Sequence, residues 1–294
     1  MAQIGPLVRG MRLRQWLKNV LVFVAPAAAG SLLERGTLGH ALLAFSAFCL
    51  TASGLYLVND VRDVNGDRLH AKKRFRPIAS GALPIPTALV AAGVLVAGGL
   101  AIGFITLSAS FGLILCIYVA ITMAYSIVLK TQPVIELACV ASGFVLRAVG
   151  GGAATQTRLS VWFVVVISFG ALFVVTGKRL AEMPGPDGSQ GEHRAVLSEY
   201  TPSFLKSTLT LSATVSITAY CLWAFENTTI SVRAHGSEVW IQLTVVPVVL
   251  GCLHVLRRLD RGDGAAPEEL AYKDRTLQVL GVLWLGLILI GIYL

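Results

Sequence analysis

The chain has 294 residues, of which 55% are hydrophobic and only 14% are charged, and its mean hydropathy is +0.73. Soluble domains carry about one quarter charged residues, so this composition excludes an ordinary soluble protein. The formal net charge of +8 would suit a nucleic-acid partner, but the distribution of the basic residues excludes that interpretation.

Apolar runs of about 18–22 residues recur along the whole length, and a bilayer core requires helices of that length. We therefore predict an all-α, polytopic membrane protein that forms one integral membrane domain over residues 1–294. Nine membrane-spanning helices are expected near residues 17–33, 41–58, 86–106, 110–130, 133–153, 160–178, 206–225, 238–256 and 276–294.

Most of the basic residues lie on one side of the predicted membrane. If the N-terminus is cytoplasmic, all but four of the 24 Lys and Arg residues precede the first span or lie in loops on the same side. Arg35, Arg158 and Arg233 fall on the opposite side, and Arg147 lies within a span. This pattern follows the positive-inside rule. It predicts a multi-pass protein of the plasma membrane, with cytoplasmic functional loops and an external C-terminus.

The entry to the first span carries Gln15, Lys18 and Asn19, which share one face of a helix. These polar groups are candidates for substrate binding. The alternative is that Trp16 anchors the helix at the interface while the Lys18 side chain reaches back to water.

Three carboxylates follow the second predicted span. Asp60, Asp63 and Asp67 stand at i, i+3 and i+7, so a helix would place them on one face. Asn59 precedes them and is a candidate for substrate binding. A cluster of this kind at a membrane boundary needs a neutralising partner. A hard divalent cation such as Mg²⁺ prefers oxygen ligands and often bridges to phosphates, so the sequence predicts a magnesium site.

A basic run follows the carboxylates and suits the phosphates that such a metal would hold. It reads Lys72-Lys73-Arg74-Phe75-Arg76-Pro77. Lys73, Arg74 and Arg76 are therefore candidates for phosphate binding.

The later spans contribute further candidates at their cytoplasmic ends. Tyr125 lies about a turn inside the fourth span, where its hydroxyl needs a partner, and Lys130 follows that span. The sixth span ends with Lys178, Arg179 and Glu182. These two cations suit a phosphate clamp, but side chains reaching the interface from a helix end would explain them equally well.

Arg147 lies deep in the fifth predicted span, and a charge inside the membrane marks a functional hypothesis. The alternative is a structural hydrogen bond to neighbouring helices. In the remaining loops, Arg194 and Tyr272 are also candidates for substrate binding.

The motif Asn59-Asp60-x-x-Asp63-x-x-x-Asp67, followed by Arg76-Pro77-Ile78-Ala79-Ser80-Gly81, resembles the first aspartate-rich signature of the UbiA superfamily of intramembrane prenyltransferases. The resemblance extends over essentially the whole chain. It implies a helical bundle around a cytoplasm-facing cavity in which Mg²⁺ on the aspartates holds a diphosphate.

Most members of that superfamily have a second aspartate-rich motif after the sixth span, but here that position reads Lys178-Arg179-Leu180-Ala181-Glu182. With Gln15-Trp16-x-Lys18-Asn19 and Tyr125-Ser126-x-x-Leu129-Lys130, this departure is similar to an actinobacterial branch. That branch transfers phosphoribose from phosphoribosyl pyrophosphate to decaprenyl phosphate. The resemblance implies catalytic roles for Asp60, Asp63, Lys178 and Glu182.

Two other functions stay open from the residues. An aromatic prenyltransferase of quinone or haem biosynthesis would use an isoprenyl diphosphate donor and usually the second aspartate motif. A transporter would place polar groups at the midplane and often contain inverted repeats, which we do not find in this sequence. A homo-oligomer is compatible with the sequence, which does not determine the oligomeric state.

Overall fold

The structure is a computed structural model that describes residues 4–183, 195–226, 238–261 and 267–293. These ranges are helical and contain no β-strand. The α-helices are α1 (Ile4–Gly10), α2 (Val24–Ala28), α3 (Thr37–Arg62), α4 (Val64–Leu69), α5 (Ile85–Ala101), α6 (Ala109–Ile127), α7 (Ile135–Ala154), α8 (Val161–Glu182), α9 (Pro202–Glu226), α10 (Glu238–Leu243), α11 (Val245–Asp260), α12 (Pro267–Lys273) and α13 (Arg275–Tyr293). Short 3-10 helices cover Lys73–Phe75, Leu129–Thr131 and Ala195–Glu199, and a π-helix, Ile102–Leu107, continues α5.

Within the described ranges, eight helices are long and apolar enough to cross a membrane. They are Thr37–Arg62, Ile85–Leu107, Ala109–Ile127, Ile135–Ala154, Val161–Glu182, Pro202–Phe225, Glu238–Asp260 and Arg275–Tyr293. Each overlaps one predicted span, and the all-α membrane fold is confirmed.

The first predicted span, 17–33, differs from the prediction. It is not one long α-helix, because Leu13–Phe23 form a 3-10 helix that leads into α2. Pro26 accounts for part of this difference. It has no N–H to bond the carbonyl four residues earlier, that of Val22, and its ring would clash with that carbonyl in a continuous helix.

The chain divides into two compact units, and the prediction of a single domain stays a prediction. The first unit comprises Met1–Ala27, Ser31–Ile127 and Leu146–Thr157. Its core contains Phe48, with Phe111 and Tyr118 edge-on to it at centroid distances of 5.7 and 5.4 Å.

Small residues allow the helices of the first unit to approach closely, as is common in membranes. A Cβ on Gly99 of α5 would lie 2.2 Å from Oγ1 of Thr51 on α3, and one on Gly54 of α3 would lie 2.7 Å from the Ala92 carbonyl oxygen on α5. Glycine at both positions therefore permits the packing of α3 against α5.

The second unit comprises Ala28–Gly30, Val128–Val145 and Arg158–Leu294. Packing of α8 against α9 forms one of its main contacts. The Tyr220 hydroxyl on α9 lies 2.7 Å from the Thr244 hydroxyl between α10 and α11, and it accepts a 2.8 Å hydrogen bond from Nε1 of Trp284 on α13. This buried contact connects three of its helical segments.

Candidate functional site

The aspartate region of the first unit forms a compact ionic cluster. Asp60 lies in the last turn of α3, and Asp67 lies in α4 after a break at Asp63. Nη1 of Arg76 lies 3.2 Å from Oδ1 of Asp60 and 2.7 Å from Oδ2 of Asp67. Both aspartates are buried, with 2% and 5% of their surface exposed. One positive group is therefore held between two buried carboxylates.

Arg12 is a second cation of this cluster. Its Nη2 donates a hydrogen bond to Oδ1 of Asp60, and its guanidinium lies 5.3 Å from the centroid of the Tyr56 ring. Arg12 adopts a left-handed conformation with φ of 54° just before the 3-10 helix Leu13–Phe23. Few non-glycine residues adopt this backbone conformation. The side chain thus reaches across from the N-terminal segment to the end of α3.

Asp63 lies apart from the Arg76 bridge. Its Oδ2 accepts a 3.2 Å hydrogen bond from the amide of Asn59. Among the described residues, no group of three or more Asp, Glu, His or Cys side chains forms a ready metal site. Asp60 and Asp67 thus lie close together, but the three predicted aspartates do not form one carboxylate group in the described structure. The metal-ligand role of Asp63 stays a prediction.

The basic run divides into inward and outward side chains. Arg76 points to the aspartates, whereas Arg74 is exposed and its guanidinium lies 4.8 Å from the centroid of the Phe75 ring. Lys73 is half-buried, and its backbone N–H donates to Nδ1 of His70. Arg76 contacts the carboxylate cluster through its hydrogen bonds to Asp60 and Asp67.

The polar residues of the 3-10 helix Leu13–Phe23 separate in the same way. Asn19 is buried, with 1% of its surface exposed, whereas Gln15 is half-buried and Lys18 is exposed. Nε1 of Trp16 donates a 3.0 Å hydrogen bond to Oγ of Ser53 on α3, so this indole contacts the protein. An anchor at the membrane interface alone would not include this hydrogen bond to α3.

Arg147 is held inside the first unit. Its Nε donates to Oδ1 of Asn19 at 2.6 Å, and its Nη2 donates to the Tyr118 hydroxyl at 2.9 Å. The guanidinium also lies 4.8 Å from the Tyr118 ring centroid. These contacts match the structural alternative, because they connect α7 with α6 and the N-terminal 3-10 helix. Substrate binding by Arg147 stays a prediction.

In the second unit, Arg179 forms a buried ion pair with Glu136. Its Nε and Nη2 donate to the two carboxylate oxygens at 2.8 and 2.7 Å. The relative exposure of the two side chains is 3% for Arg179 and 0% for Glu136. Nη1 of Arg179 also donates to Glu182 at 2.8 Å. Arg179 is therefore not a helix-end cation that reaches toward water, as one alternative proposed.

Tyr200 completes this network. Its hydroxyl donates to Oε1 of Glu136 at 3.5 Å and accepts a 2.8 Å hydrogen bond from the Val134 N–H. Burial raises the pKa of the Tyr200 phenol above its ordinary value. The phenol therefore stays protonated at neutral pH and can donate to the carboxylate.

The remaining candidates occupy separate positions. Lys178 on α8, Tyr125 on α6 and Lys130 in the 3-10 helix Leu129–Thr131 are half-buried. Tyr272 on α12 is 66% exposed, and Arg194 lies outside the described residues.

Sequence reasoning did not select Arg12, Glu136, Tyr118 or Tyr200 as site or network residues. The signal for Glu136 was available, because a carboxylate in the first turn of a membrane span requires a buried cation. The partners of Arg12 and Tyr200 lie 48 and 64 residues away in the chain, and no local pattern indicates such contacts.

Comparison with known proteins identifies the family. The model of the UbiA prenyltransferase family matches residues 20–278 of the chain. The chain belongs to the UbiA prenyltransferase family. The resemblance inferred from the aspartate motif is thereby confirmed.

Two curated relatives are similar to this UbiA chain over nearly its whole length. The decaprenyl-phosphate phosphoribosyltransferase of Mycolicibacterium smegmatis is 40% identical and covers 99% of this chain and 93% of its own. The protein of the same name from Corynebacterium glutamicum is 39% identical and covers 98% of this chain and 87% of its own.

Solved structures show the same fold. A UbiA homologue from Archaeoglobus fulgidus, bound to DMAPP and Mg²⁺, has a TM-score of 0.68 at 18% identity and covers 97% of both chains. This likeness extends the family assignment to the arrangement of the helices.

Proposed function

We propose that this UbiA family member transfers 5-phosphoribose from phosphoribosyl pyrophosphate to decaprenyl phosphate and releases pyrophosphate. The product, decaprenylphosphoryl-5-phosphoribose, would serve arabinan synthesis in the cell wall. Relatives that carry the name of this activity are about 40% identical over nearly the whole chain. The similarity therefore includes the aspartate region and the segment that replaces the second aspartate motif.

The observation that carries the proposal is the position of Nη1 of Arg76 between Asp60 and Asp67. The carboxylates of Asp60 and Asp67 both lie around the same positive group of Arg76, so their oxygen atoms already surround one position suited to a cation. Mg²⁺ is commonly bound by one or two carboxylates together with the phosphates of the substrate. The donor set therefore fits Mg²⁺ held by Asp60 and Asp67, and we propose that Asp63 assists through Asn59.

When bound, Mg²⁺ would supply charge stabilisation for the departing pyrophosphate. We propose that Arg12 and Arg76 then act on the phosphates of the donor, since both guanidinium groups lie at the carboxylates. Arginine suits this role because its planar fork binds phosphate oxygens in pairs.

The attacking group in this reaction is the phosphate oxygen of decaprenyl phosphate, which is already anionic at neutral pH. It requires no strong general base. The ribose C1 develops oxocarbenium character as pyrophosphate leaves, as in glycosyl transfer generally. Cations that match the charge on the leaving group are thus the main catalytic device, and we propose Lys178 as one of them.

The segment that replaces the second aspartate motif lies in the second unit. Glu136 and Glu182 are both bonded to Arg179 at the position of the second aspartate motif. Since Arg179 is engaged by both carboxylates, we propose that Lys178 is the residue of this segment that binds the donor phosphates, and that the segment does not provide a second set of metal ligands. Gln15, Lys18, Lys73, Arg74, Lys130 and Arg194 are proposed to supply further contacts to donor or acceptor.

The structure has several apolar helices, and the chain is an integral membrane protein. We propose the plasma membrane as its location, with the N-terminus and the aspartate region facing the cytoplasm. This orientation rests on the charge distribution of the loops and would give the site access to a soluble donor.

A donor competition tests the proposal. Purified protein in detergent would receive Mg²⁺, decaprenyl phosphate and phosphoribosyl pyrophosphate labelled in the ribose, and label would be counted in the organic phase. We expect transfer that EDTA abolishes. Absence of transfer, together with turnover of an isoprenyl diphosphate onto an aromatic acceptor, would reject the proposed donor and move the enzyme to the quinone or haem branch.

A further inference from the structure

The loop between α3 and α5 exposes two large apolar side chains outside any membrane-spanning helix. Leu69, at the end of α4, is 90% exposed, and Phe75, in the 3-10 helix Lys73–Phe75, is 72% exposed. Lipid surrounds the apolar side chains of the spans, but it does not surround a loop by default. A contiguous exposed apolar surface marks an interaction site, and two large exposed apolar side chains in one short loop are candidates for such a surface.

The charges beside these two side chains are all positive. Lys72 and Arg74 are exposed, and in the described part of the chain neither has a carboxylate partner. The guanidinium of Arg74 lies 4.8 Å from the centroid of the Phe75 ring, so a cation and an apolar ring are presented together. We call Leu69, Lys72, Arg74 and Phe75 the outward patch.

The acidic side chains of the same loop face the other way. Asp67 is buried and bonded to Arg76, and Asp63 is half-buried and bonded to Asn59. Arg68 is exposed as well, but its Nε donates a 3.3 Å hydrogen bond to the Ala79 carbonyl oxygen. The carboxylates of this loop are therefore buried or half-buried, whereas its exposed charges are positive.

The patch is also held in a defined conformation. Nδ1 of His70 accepts hydrogen bonds from the backbone N–H groups of Lys72 at 3.1 Å and Lys73 at 3.3 Å. The Arg74 N–H bonds the His70 carbonyl oxygen at 3.2 Å. This turn places the patch directly after the membrane-spanning α3, which ends at Arg62.

We infer that the outward patch docks on the anionic phospholipid surface of the bilayer that surrounds the protein. Apolar side chains flanked by Lys and Arg are the pattern of segments that lie in the membrane interface. A cluster of basic residues next to the end of a membrane helix is likewise typical of binding to anionic headgroups. Leu69 and Phe75 would enter the interface, while Lys72 and Arg74 would bind lipid phosphates. Because Arg74 is also among the residues proposed to contact donor or acceptor, this surface is tested by its lipid-dependent protection and not by transferase activity.

Hydrogen–deuterium exchange of the full-length protein in nanodiscs tests the inference. One set of nanodiscs contains phosphatidylcholine alone, and the other contains phosphatidylcholine with phosphatidylglycerol. We expect amides of residues 69–76 to exchange severalfold more slowly in the anionic nanodiscs. High salt should reverse that protection, because ions screen exposed charges.

Two double variants separate the contributions. Lys72→Gln with Arg74→Gln should abolish the difference between the two lipids, because each basic residue near an anionic surface contributes about a fivefold change in partition. Leu69→Ser with Phe75→Ser should reduce protection in both lipids. Lys273→Gln is the matched control, since this exposed lysine is already paired with Glu269 at 2.9 Å and should leave residues 69–76 unchanged.

Equal exchange in both lipids, or protection that survives Lys72→Gln with Arg74→Gln, would overturn the inference. Protection that appears in detergent and rises with protein concentration would assign the patch to a second copy of the chain instead. Because all four side chains are exposed, these variants should retain exchange rates in the spans, which verifies their fold.

Discussion

Replacing Glu136 by Gln removes one charge from the most deeply buried ion pair described in the second unit. The Glu136 carboxylate accepts two hydrogen bonds from Arg179, and the side chains are 0% and 3% exposed. A glutamine has one acceptor oxygen, so one N–H of the guanidinium loses its acceptor and meets an amide donor instead. The buried guanidinium keeps its 2.8 Å hydrogen bond to Glu182.

The expected cost follows from this geometry. Removing one partner of a buried ion pair destabilises a protein by about 3–5 kcal/mol. Because Glu182 still compensates part of the charge, we expect about 3 kcal/mol, at the lower end of that range. For a chain of this size that corresponds to a melting temperature lower by roughly 6 °C.

The assay is thermal unfolding of the purified protein in detergent, followed by loss of the monodisperse peak in size-exclusion chromatography. Glu269→Gln is the matched control, because its ion pair with Lys273 is exposed and should contribute little. The double variant Glu136→Gln with Arg179→Met should recover part of the loss, since it removes the buried charge that has lost one of its two carboxylates. A Glu136→Gln melting temperature equal to that of Glu269→Gln would refute the reasoning.

Three other predictions concern separate parts of the chain. Lys178→Ala should raise the KM for the donor by about tenfold or more, because a charged hydrogen bond to a phosphate would be lost. Lys273→Ala is the control. An unchanged KM would favour the alternative that the Lys178 side chain only reaches the membrane interface. Gly151→Ala should destabilise the first unit by about 1–3 kcal/mol, because its Cβ would lie 1.9 Å from the Val22 carbonyl oxygen. Gly281→Ala is the control, since its Cβ would meet nothing within 4 Å. Equal melting temperatures of the two variants would contradict the contact. The hydrogen bond with His254 lowers the pKa of Asp274 from its ordinary value of 3.8. Its contribution to stability is therefore present at neutral pH and lost as the pH falls through the lowered value, so Asp274→Asn should weaken the dependence of melting temperature on pH below about 4; identical pH profiles for the two proteins would contradict it.

The membrane fold was predictable because long apolar runs are a property of the local sequence. The spans beginning at Thr37 and Ile85, for example, were located within a few residues of their helices. The N-terminal segment was not: it combines a 3-10 helix with a short α-helix that contains Pro26, and its Val22 carbonyl lies against Gly151. That contact joins residues far apart in the chain.

The candidate site was predictable to the same extent. The spacing of Asp60 and Asp67 indicated that both carboxylates would lie together, and Arg76 was selected from the same motif. The contribution of Arg12 was not predictable, because it depends on a left-handed residue and a contact across 48 positions. The network of Glu136 and Arg179 was missed for a similar reason, since its partners lie 43 positions apart.

The central claim is that the Asp60 cluster performs phosphoribosyl transfer. Its most direct test is the initial rate of label transfer from phosphoribosyl pyrophosphate to decaprenyl phosphate by the wild type and by Asp60→Asn at saturating Mg²⁺. Asparagine keeps the shape of the side chain and removes the charge that would hold the metal. We expect the rate to fall at least about a hundredfold, as when an electrostatic group of a catalytic site is removed. An Asp60→Asn protein that is folded and transfers label at the wild-type rate would contradict the account.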